Sequence, residues 1–164
     1  MRLINKIRRN HALEHATVAV MMQNGIKGLM AGYATSNGFW LVCGANNQQV
    51  SNAAGTALKR LYAGENSLAI SPHCGTNIAI TVLITDIALK LYSRIRRTEA
   101  TGLGPRILIA AASIAISTPL GLKIQQYFTT LSNMSQVRIR DVNTIRFRSI
   151  YLHKVHTRQY NEAN

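Results

Sequence analysis

Two long apolar segments constrain the fold of this chain more than any other feature. They occupy residues 76–92 and 107–122, and Ala, Ile and Leu dominate both. Each is shorter than the roughly 20 residues that a membrane-spanning helix needs, so tilting or partial insertion would have to compensate. Pro119 and Gly121 near the end of the second segment are better tolerated in membrane helices than in soluble ones. The pair predicts a membrane-associated helical hairpin, and the alternative is a soluble protein with two buried helices.

The charge of the chain also favours an anionic surface as its partner. Its 19 Lys and Arg residues outnumber its 6 Asp and Glu residues, which gives a formal net charge of +13. A chain that is both basic and apolar suits a membrane, an anionic lipid surface or nucleic acid. Nucleic acid ranks last, because the sequence has no phosphate-binding glycine loop with Lys and few aromatic side chains for base stacking.

The basic residues do not define a single topology. Residues 93–106, which connect the apolar segments, contain arginines at positions 94, 96, 97 and 106 and are predicted to be cytoplasmic by the positive-inside rule. The N-terminal stretch and the C-terminal tail are basic as well. A hairpin that enters the bilayer without crossing it, or a protein lying on an anionic leaflet, satisfies all three regions. Cys43 and Cys74 form no disulfide-rich pattern, which predicts reduced thiols and a cytoplasmic soluble part.

Polar residues on the first apolar segment predict a face turned away from lipid. Asn77, Thr81 and Thr85 recur at helical spacing, and Asp86 and Lys90 are spaced for an i,i+4 ion pair. Such a stripe should face protein or a water-filled site.

The segment His11-Ala12-Leu13-Glu14-His15 has the form H-x-x-E-H, which is the inverted zinc-hydrolase signature. On a helix, His11 and His15 lie one turn apart on the same face, so both imidazoles can reach one metal ion. Glu14 stands beside His15 and is suited to act as general base on a metal-bound water. Two ligands alone do not hold a zinc ion, so the motif requires a further ligand.

A second cluster, S-P-H-C-G-T at residues 71–76, offers that ligand. Pro72 and Gly75 predict a tight loop, and Thr76 is expected to cap the helix that follows. Cys74 would then lie near a helix N-terminus, where the dipole favours the thiolate that binds zinc. The predicted zinc ligands are His11, His15 and Cys74, with His73 as the alternative to Cys74.

Each motif also has a purely structural interpretation. A His pair at helical spacing is often two polar residues on a half-buried face, and a single Cys usually behaves as a small buried apolar residue. In that case the same side chains form a buried hydrogen-bond network that fixes the helices together.

The two motifs together resemble those of a known group of sequences. The pattern H-x-x-E-H-A-T, followed by S-P-H-C-G-T-N at the start of an apolar helix, is similar to an uncharacterised family of small bacterial membrane-associated proteins, seen in photosynthetic bacteria among others. It is similar, more distantly, to bacterial integral membrane proteins with H-x-x-E-H and P-x-C-G-T. The likeness covers residues 8–95 well. It implies that the two motifs belong together and that the protein lies at a bacterial inner or photosynthetic membrane. The chain is much shorter than H-x-x-E-H peptidases and has no obvious downstream glutamate ligand.

The rest of the sequence predicts an α+β fold. After the N-terminal helix, residues 33–43 predict a β-hairpin and residues 47–63 a helix. Residues 68–70 predict a short strand that leads into the His73-Cys74 loop. In the tail, residues 137–140 and 145–148 alternate apolar and basic side chains, which predicts strands with the arginines on one solvated face. The expected organisation is an α+β region at 1–75, an apolar helical hairpin at 76–131, and a basic β tail at 132–164 that packs on the N-terminal region.

Three functions follow, in decreasing order of support. The first is a membrane-associated protein with a zinc site, acting as a metal-dependent hydrolase with Glu14 as its base. The second is a non-catalytic membrane subunit or assembly factor whose partners are other membrane proteins. The third is a basic nucleic-acid-binding protein that uses the arginines of the tail.

Overall fold

The computed structural model of the chain describes residues 3–96, 102–148 and 150–160. The chain divides into two compact units. The first, here called the sheet unit, comprises Met1–Ile70 and Gln126–Asn164, and the second, the hairpin unit, comprises Ser71–Gln125. The fold is α+β, as the sequence predicts.

Sequence signals mark the end of the first helix of the sheet unit and the start of the second. Helix α1 spans Leu3–Gln23 and is followed by Gly25, which adopts the left-handed conformation (φ +80°) that commonly ends a helix. Helix α2 spans Asn47–Tyr62 and starts with a capping box, in which the Asn46 and Gln49 side chains each accept the other's backbone N–H. The α2 prediction from sequence is confirmed to within one residue at its end.

Four antiparallel strands form one sheet. Strands β1 (Ala31–Thr35) and β2 (Gly38–Cys43) form the predicted hairpin, and strands β3 (Val137–Phe147) and β4 (Ile150–Gln159) form a second one. The strand order is β1-β2-β4-β3, because β4 pairs with β2. Strand β2, from the N-terminal part of the chain, and strand β4, from its C-terminal part, therefore lie side by side in the middle of the sheet.

The core of the sheet unit lies between the helices and one face of this sheet. Side chains alternate along β2 and β4, so Phe39, Leu41 and Val155 point inward and are fully buried. Small side chains on the facing helices allow close packing: they are Ala12, Ala16, Ala53, Ala54 and Ala57.

Asn10 of α1 joins the helix to the sheet through its side chain. It is fully buried, donates to the Thr35 carbonyl (2.7 Å), and accepts from the Thr157 hydroxyl (2.8 Å) and the Gln159 amide (3.0 Å). Because the amide nitrogen and oxygen of Asn10 both have partners, these bonds offset the cost of burying the side chain and help to fix the rotation of α1 over β1 and β4. The neighbouring H-x-x-E-H residues are thereby held in one orientation.

Two local predictions in the sheet unit are wrong. Residues 68–70 do not form a strand: Asn66–Ala69 is a 3₁₀ turn, which buries Leu68 and Ala69 in the core. The arginines of β3 are exposed, as expected, but they do not share one face. A β-bulge between Ile139 and Asp141 shifts the alternation, so Arg138 pairs with Arg158 and Arg146 pairs with Tyr151, on opposite sides of the sheet.

The hairpin unit consists of two helices of 22 residues each, α3 (Gly75–Arg96) and α4 (Leu103–Ile124). Both are longer than the apolar segments that predict them, and at 1.5 Å per residue each is about 33 Å long. The polar stripe of α3 faces α4 as expected, because the Thr81 hydroxyl lies 2.5 Å from that of Ser117. Asp86 and Lys90 form the predicted ion pair at 2.7 Å on an exposed face.

The outer surface of this helical pair is apolar, whereas its inner contact is polar or small. Ser113, Ser117 and Gly121 form the buried stripe of α4, and Asn77 is the buried polar residue at the start of α3. The exposed apolar side chains include Ile78, Val82, Leu83, Ile87 and Leu91 on α3 and Ile107, Leu108, Ile114, Ile116 and Leu120 on α4, and the Asp86–Lys90 pair is an exposed charged feature of α3. Small residues between helices and aliphatic residues outside are typical of helices packed in lipid.

One helix among the described residues, Leu103–Thr129, is long and apolar enough to cross a membrane by its length and composition. It contains α4 and a π turn at Gln125–Thr129, and it passes Pro119 without a break. The arginine-rich loop predicted at residues 93–106 falls partly on residues 97–101, which lie outside the described residues.

Candidate metal centre

The H-x-x-E-H motif lies in the middle of α1, in the part of the helix where buried residues are most frequent. His15 and Glu14 are buried and His11 is partly buried. The rings of His11 and His15 meet edge to face, with their centroids 4.3 Å apart. The helix therefore brings the two predicted histidine ligands together within the sheet unit.

Both imidazoles are held by backbone carbonyls through the same nitrogen. Nδ1 of His11 lies 3.0 Å from the Thr129 oxygen, and Nδ1 of His15 lies 2.9 Å from the Ala69 oxygen. A carbonyl oxygen only accepts, so each Nδ1 carries a proton, and the neutral form of each ring has its lone pair on Nε2. Nε2 of His15 is buried and has no hydrogen-bond partner in the part of the chain that the structure describes.

Glu14 points into the structure and not toward solvent. Its side chain packs against the backbone of Gly32 in β1, so closely that a Cβ on that glycine would overlap the carboxylate. Gly32 is required there because it leaves room for the carboxylate. Sequence reasoning missed this glycine, because nothing in its neighbours indicates which helix residue approaches it.

Cys74 lies in the hairpin unit, in the loop just before α3, and is 9% exposed. The residue that caps α3 with its side chain is Cys74 and not Thr76, so the predicted cap is wrong. The Sγ atom accepts the backbone N–H of Thr76 at 3.4 Å and also lies 3.4 Å from its hydroxyl. The sulfur is therefore at the helix N-terminus, as predicted, and takes the position that a Ser or Asp side chain would normally occupy.

The loop that carries Cys74 is held by two buried amides. Gln125, fully buried, accepts the Ser71 N–H at 2.8 Å and donates to the Ser71 carbonyl and the Asn77 side chain, each at 2.9 Å. Asn77 in turn donates to the Pro72 carbonyl at 2.8 Å. Gln125 is a polar residue directly after an apolar helix, and that position is the sequence signal for such a contact. The prediction from sequence did not include Gln125.

The other histidines occupy different environments. His73 is exposed in the same loop as Cys74. His153 is fully buried in β4, where Nε2 donates to the Ala45 carbonyl (2.9 Å) and Nδ1 accepts from the Thr144 hydroxyl (2.8 Å). Burial lowers the pKa of His153, partly offset by the bond to Ala45. His156 lies on the outer side of the sheet, 3.8 Å from Asp141.

A shallow cleft of about 360 Å³ adjoins the residues that hold the His pair. Its lining includes Ala69, whose carbonyl accepts from His15, and Thr130, the residue after Thr129, whose carbonyl accepts from His11. Most of the remaining lining is polar and uncharged: Asn66, Ser67, Gln126 and Ser132.

Comparison with known proteins agrees with the resemblance seen in the motifs. A family model described as "Domain of unknown function (DUF6391)" matches residues 6–142, a range that contains both the H-x-x-E-H motif and the Cys74 loop. An uncharacterised protein of Picosynechococcus sp. is 36% identical over 137 residues, which cover 76% of this chain and 65% of that protein. The chain thus spans less than two thirds of the length of that relative. No solved structure matches the chain significantly. The match over residues 6–142 shows that the chain belongs to the DUF6391 family.

Proposed function

We propose that this protein is a membrane-associated, zinc-dependent hydrolase in which His11, His15 and Cys74 bind the metal and Glu14 is the general base. The observation that carries the proposal is the bond of each histidine to a backbone carbonyl through Nδ1, which leaves Nε2 as the ligating nitrogen of both rings. Metal-binding histidines usually donate their second ring N–H to a carbonyl or carboxylate, which fixes the ring and raises the basicity of the ligating nitrogen.

The buried Nε2 of His15 supports the same conclusion. A buried polar atom without a partner costs about 1–3 kcal/mol, so native proteins seldom retain one. A metal ion at Nε2 would remove that cost, since the lone pair would be shared with the cation. A purely structural His15 would be expected to use both ring nitrogens, as His153 does.

Cys74 is the preferred third ligand in this proposal. Its sulfur accepts a backbone N–H at the start of α3, and both the hydrogen bond and the helix dipole favour the thiolate. His73 is the weaker candidate because its side chain is exposed. Three protein ligands leave the fourth position open for water or substrate, as in catalytic zinc sites.

Glu14 is suited to the role of base by its position one residue before His15. When bound, zinc would supply a Lewis acid that lowers the pKa of a coordinated water. The Glu14 carboxylate would take the proton of that water and later return it to the leaving group. Its contact with Gly32 limits the rotamers that the carboxylate can adopt.

Cobalt substitution tests the proposed ligand set. The protein is purified in detergent and loaded with Co²⁺, and the sulfur-to-metal charge-transfer absorption is recorded. We expect Cys74→Ser to abolish this absorption and Cys43→Ser, at the buried cysteine of β2, to retain it. His73→Ala should also retain it. If the absorption survives in Cys74→Ser, the proposed third ligand is wrong.

Glu14→Gln separates catalysis from binding. This variant should keep its metal and lose the hydrolysis of fluorogenic ester and amide substrates, because Glu14 is a base and not a ligand. A wild-type protein that binds zinc but hydrolyses no such substrate would contradict the catalytic part and leave a structural ion.

A non-catalytic membrane subunit is the second candidate function. The buried amides of Asn77 and Gln125 bond to each other and to Ser71, and the buried Ser117 hydroxyl bonds to Thr81, so these polar residues of the hairpin unit have partners without a metal. Under this alternative, purified protein would contain no stoichiometric metal.

Membrane association is tested by fractionation of cells. The apolar outer surface of α3 and α4 predicts a protein that sediments with membranes, resists high salt and is released by detergent. Release by alkaline carbonate alone would indicate surface attachment, and full solubility without detergent would contradict membrane association altogether.

A further inference from the structure

Large apolar side chains lie exposed at one end of the sheet unit. Leu3 and Ile4 at the start of α1 are 62% and 66% exposed, and Ile7 one turn later is also exposed. Tyr127 and Phe128, in the π turn that follows α4, are 62% and 72% exposed. We call these five residues the foot.

Hydrogen bonds hold the two parts of the foot next to each other. The Arg8 guanidinium donates to the carbonyls of Tyr127 (2.8 Å) and Thr130 (3.0 Å), and the backbone N–H of Leu131 donates to the Arg8 carbonyl (3.1 Å). Ile4 lies one helical turn before Arg8, on the same side of α1. The start of α1 and residues 127–131 are therefore one continuous surface of the sheet unit.

The polarity of this surface is the reverse of that expected in water. Lys6 and Arg8 are partly buried, and Arg8 is turned inward onto backbone carbonyls, whereas the neighbouring Leu3, Ile4 and Ile7 face outward. On a water-exposed helix end, the basic side chains would extend outward and the aliphatic ones would turn inward. A clustered apolar patch of this kind marks an interaction surface.

We propose that the foot inserts into the headgroup region of an anionic lipid leaflet. Tyr127 and Phe128 end the helix Leu103–Thr129, which is long enough to span a bilayer, and aromatic residues are enriched at that depth. The aliphatic residues of α1 would enter the same layer, as in interfacial amphipathic helices. The net charge of +13 selects an anionic leaflet. The inference rests on the proposed membrane association and is independent of the metal.

Insertion of the foot would bring the His pair close to the headgroup layer. Nδ1 of His11 donates to the carbonyl of Thr129, the residue directly after Phe128 in the foot. Along α1, His11 is about 10 Å from Ile4 at 1.5 Å per residue. A substrate held at headgroup depth would therefore be close to His11 and His15.

Depth-dependent fluorescence quenching tests the foot. Trp40 is the single Trp of the chain, so a Trp40→Phe background allows one new Trp at Ile4 or at Phe128. The full chain is reconstituted into phosphatidylglycerol and phosphatidylcholine vesicles with brominated acyl chains. Leu29→Trp is the matched control, because Leu29 is 78% exposed and follows the opposite end of α1, about 30 Å away.

We expect the Trp at Ile4 and the Trp at Phe128 to be quenched several-fold more than the Trp at Leu29. Quenching that is equal at the three positions, or absent from the foot, would overturn the inference. An Ile4→Cys variant that forms disulfide-linked dimers in the same vesicles would show that a second copy covers the foot, and would also overturn it.

The outcome can be separated from that of the metal proposal. All three Trp positions are exposed, so circular dichroism and zinc content should match the wild type. If zinc is bound but the Trp residues at Ile4 and Phe128 are not quenched, only the insertion of the foot is rejected. If they are quenched but no zinc is bound, only the metal centre is rejected.

Discussion

Buried polar side chains on α1 are each held by a particular partner in the sheet unit. Asn10 bonds to β1 and β4, Glu14 packs on Gly32, and His15 donates to the Ala69 carbonyl. Buried polar groups are stable mainly where they find partners, so each of these contacts constrains the position of α1.

Gly32→Ala should displace Glu14. The added methyl group overlaps the carboxylate, and such overpacking lowers the free energy of unfolding by about 1–3 kcal/mol. Gly55→Ala is the control: a methyl group there meets nothing within 4 Å in α2, so the helix should gain about 1 kcal/mol. Chemical denaturation in detergent measures both. A Gly32→Ala protein as stable as the wild type would show that Glu14 is not confined by β1.

His153 should make stability depend on pH. Burial depresses the pKa of His153 in the folded state, so the unfolded chain binds its proton first as the pH falls. The stabilisation is therefore present above the unfolded pKa of about 6.5 and is lost below it, with a slope of at most about 1.4 kcal/mol per pH unit.

The measurement is denaturation followed by Trp40 fluorescence at several pH values between about 7.5 and 5. His153→Gln, which does not titrate, should show a weaker decline in the free energy of unfolding than the wild type. Identical slopes for the two proteins would contradict the assigned role of His153.

The elements of the hairpin unit depend on polar contacts inside an apolar pair of helices. Gln125 ties the end of α4 to the loop before α3, and Ser117 meets Thr81 between the helices. These contacts position Cys74 at the start of α3 and leave aliphatic side chains on the outside.

Gln125→Leu should loosen the Cys74 loop. The substitution removes the bonds that Gln125 makes to the Ser71 N–H, the Ser71 carbonyl and the Asn77 side chain. Each of these buried groups that finds no new partner should lower the free energy of unfolding by about 1–3 kcal/mol. Gln126→Leu is the matched control, because Gln126 is exposed. Protease protection of the loop in detergent distinguishes the two. Equal protection in both variants would remove Gln125 from this role.

Ser117→Leu and Thr118→Leu should differ sharply although the residues are adjacent. Ser117 is fully buried against α3, so a larger side chain would force the helices apart at a cost of about 1–3 kcal/mol. Thr118 is exposed on the outer face, where Leu suits lipid. Thermal stability in detergent should fall for the first variant only. A loss for Thr118→Leu of the same size would indicate that the outer face contacts water or protein.

Periodicity in the sequence was sufficient to predict the β1–β2 hairpin, α2 and the two apolar helices, because each depends on local signals such as Asn46 and the run of Ile and Leu. It was insufficient for β4 and for the bulge in β3, which depend on pairing between distant residues. In the candidate site, the helical spacing of His11 and His15 predicts that their rings are neighbours. The carbonyls of Ala69 and Thr129 and the approach of Gly32 could not be predicted, because the backbone of a distant segment leaves no pattern in the sequence.

At the scale of the whole molecule, the chain combines two units: a sheet unit that contains the His pair and the Glu14 carboxylate packed on Gly32, and a hairpin unit with a largely apolar exterior. The net charge of +13 and the helix Leu103–Thr129 both favour an anionic membrane as its surroundings. Within the sheet unit, we propose that the His pair of α1 binds a metal ion through its Nε2 atoms.

The zinc content of protein purified in detergent tests that claim most directly. We expect about one zinc ion per wild-type chain, near-complete loss in both His11→Ala and His15→Ala, and full retention in His156→Ala, whose ring lies on the outer side of the sheet. Circular dichroism of each variant confirms that loss of metal is not loss of fold. Equal zinc content in the wild type and in both α1 histidine variants would contradict metal binding by the His pair.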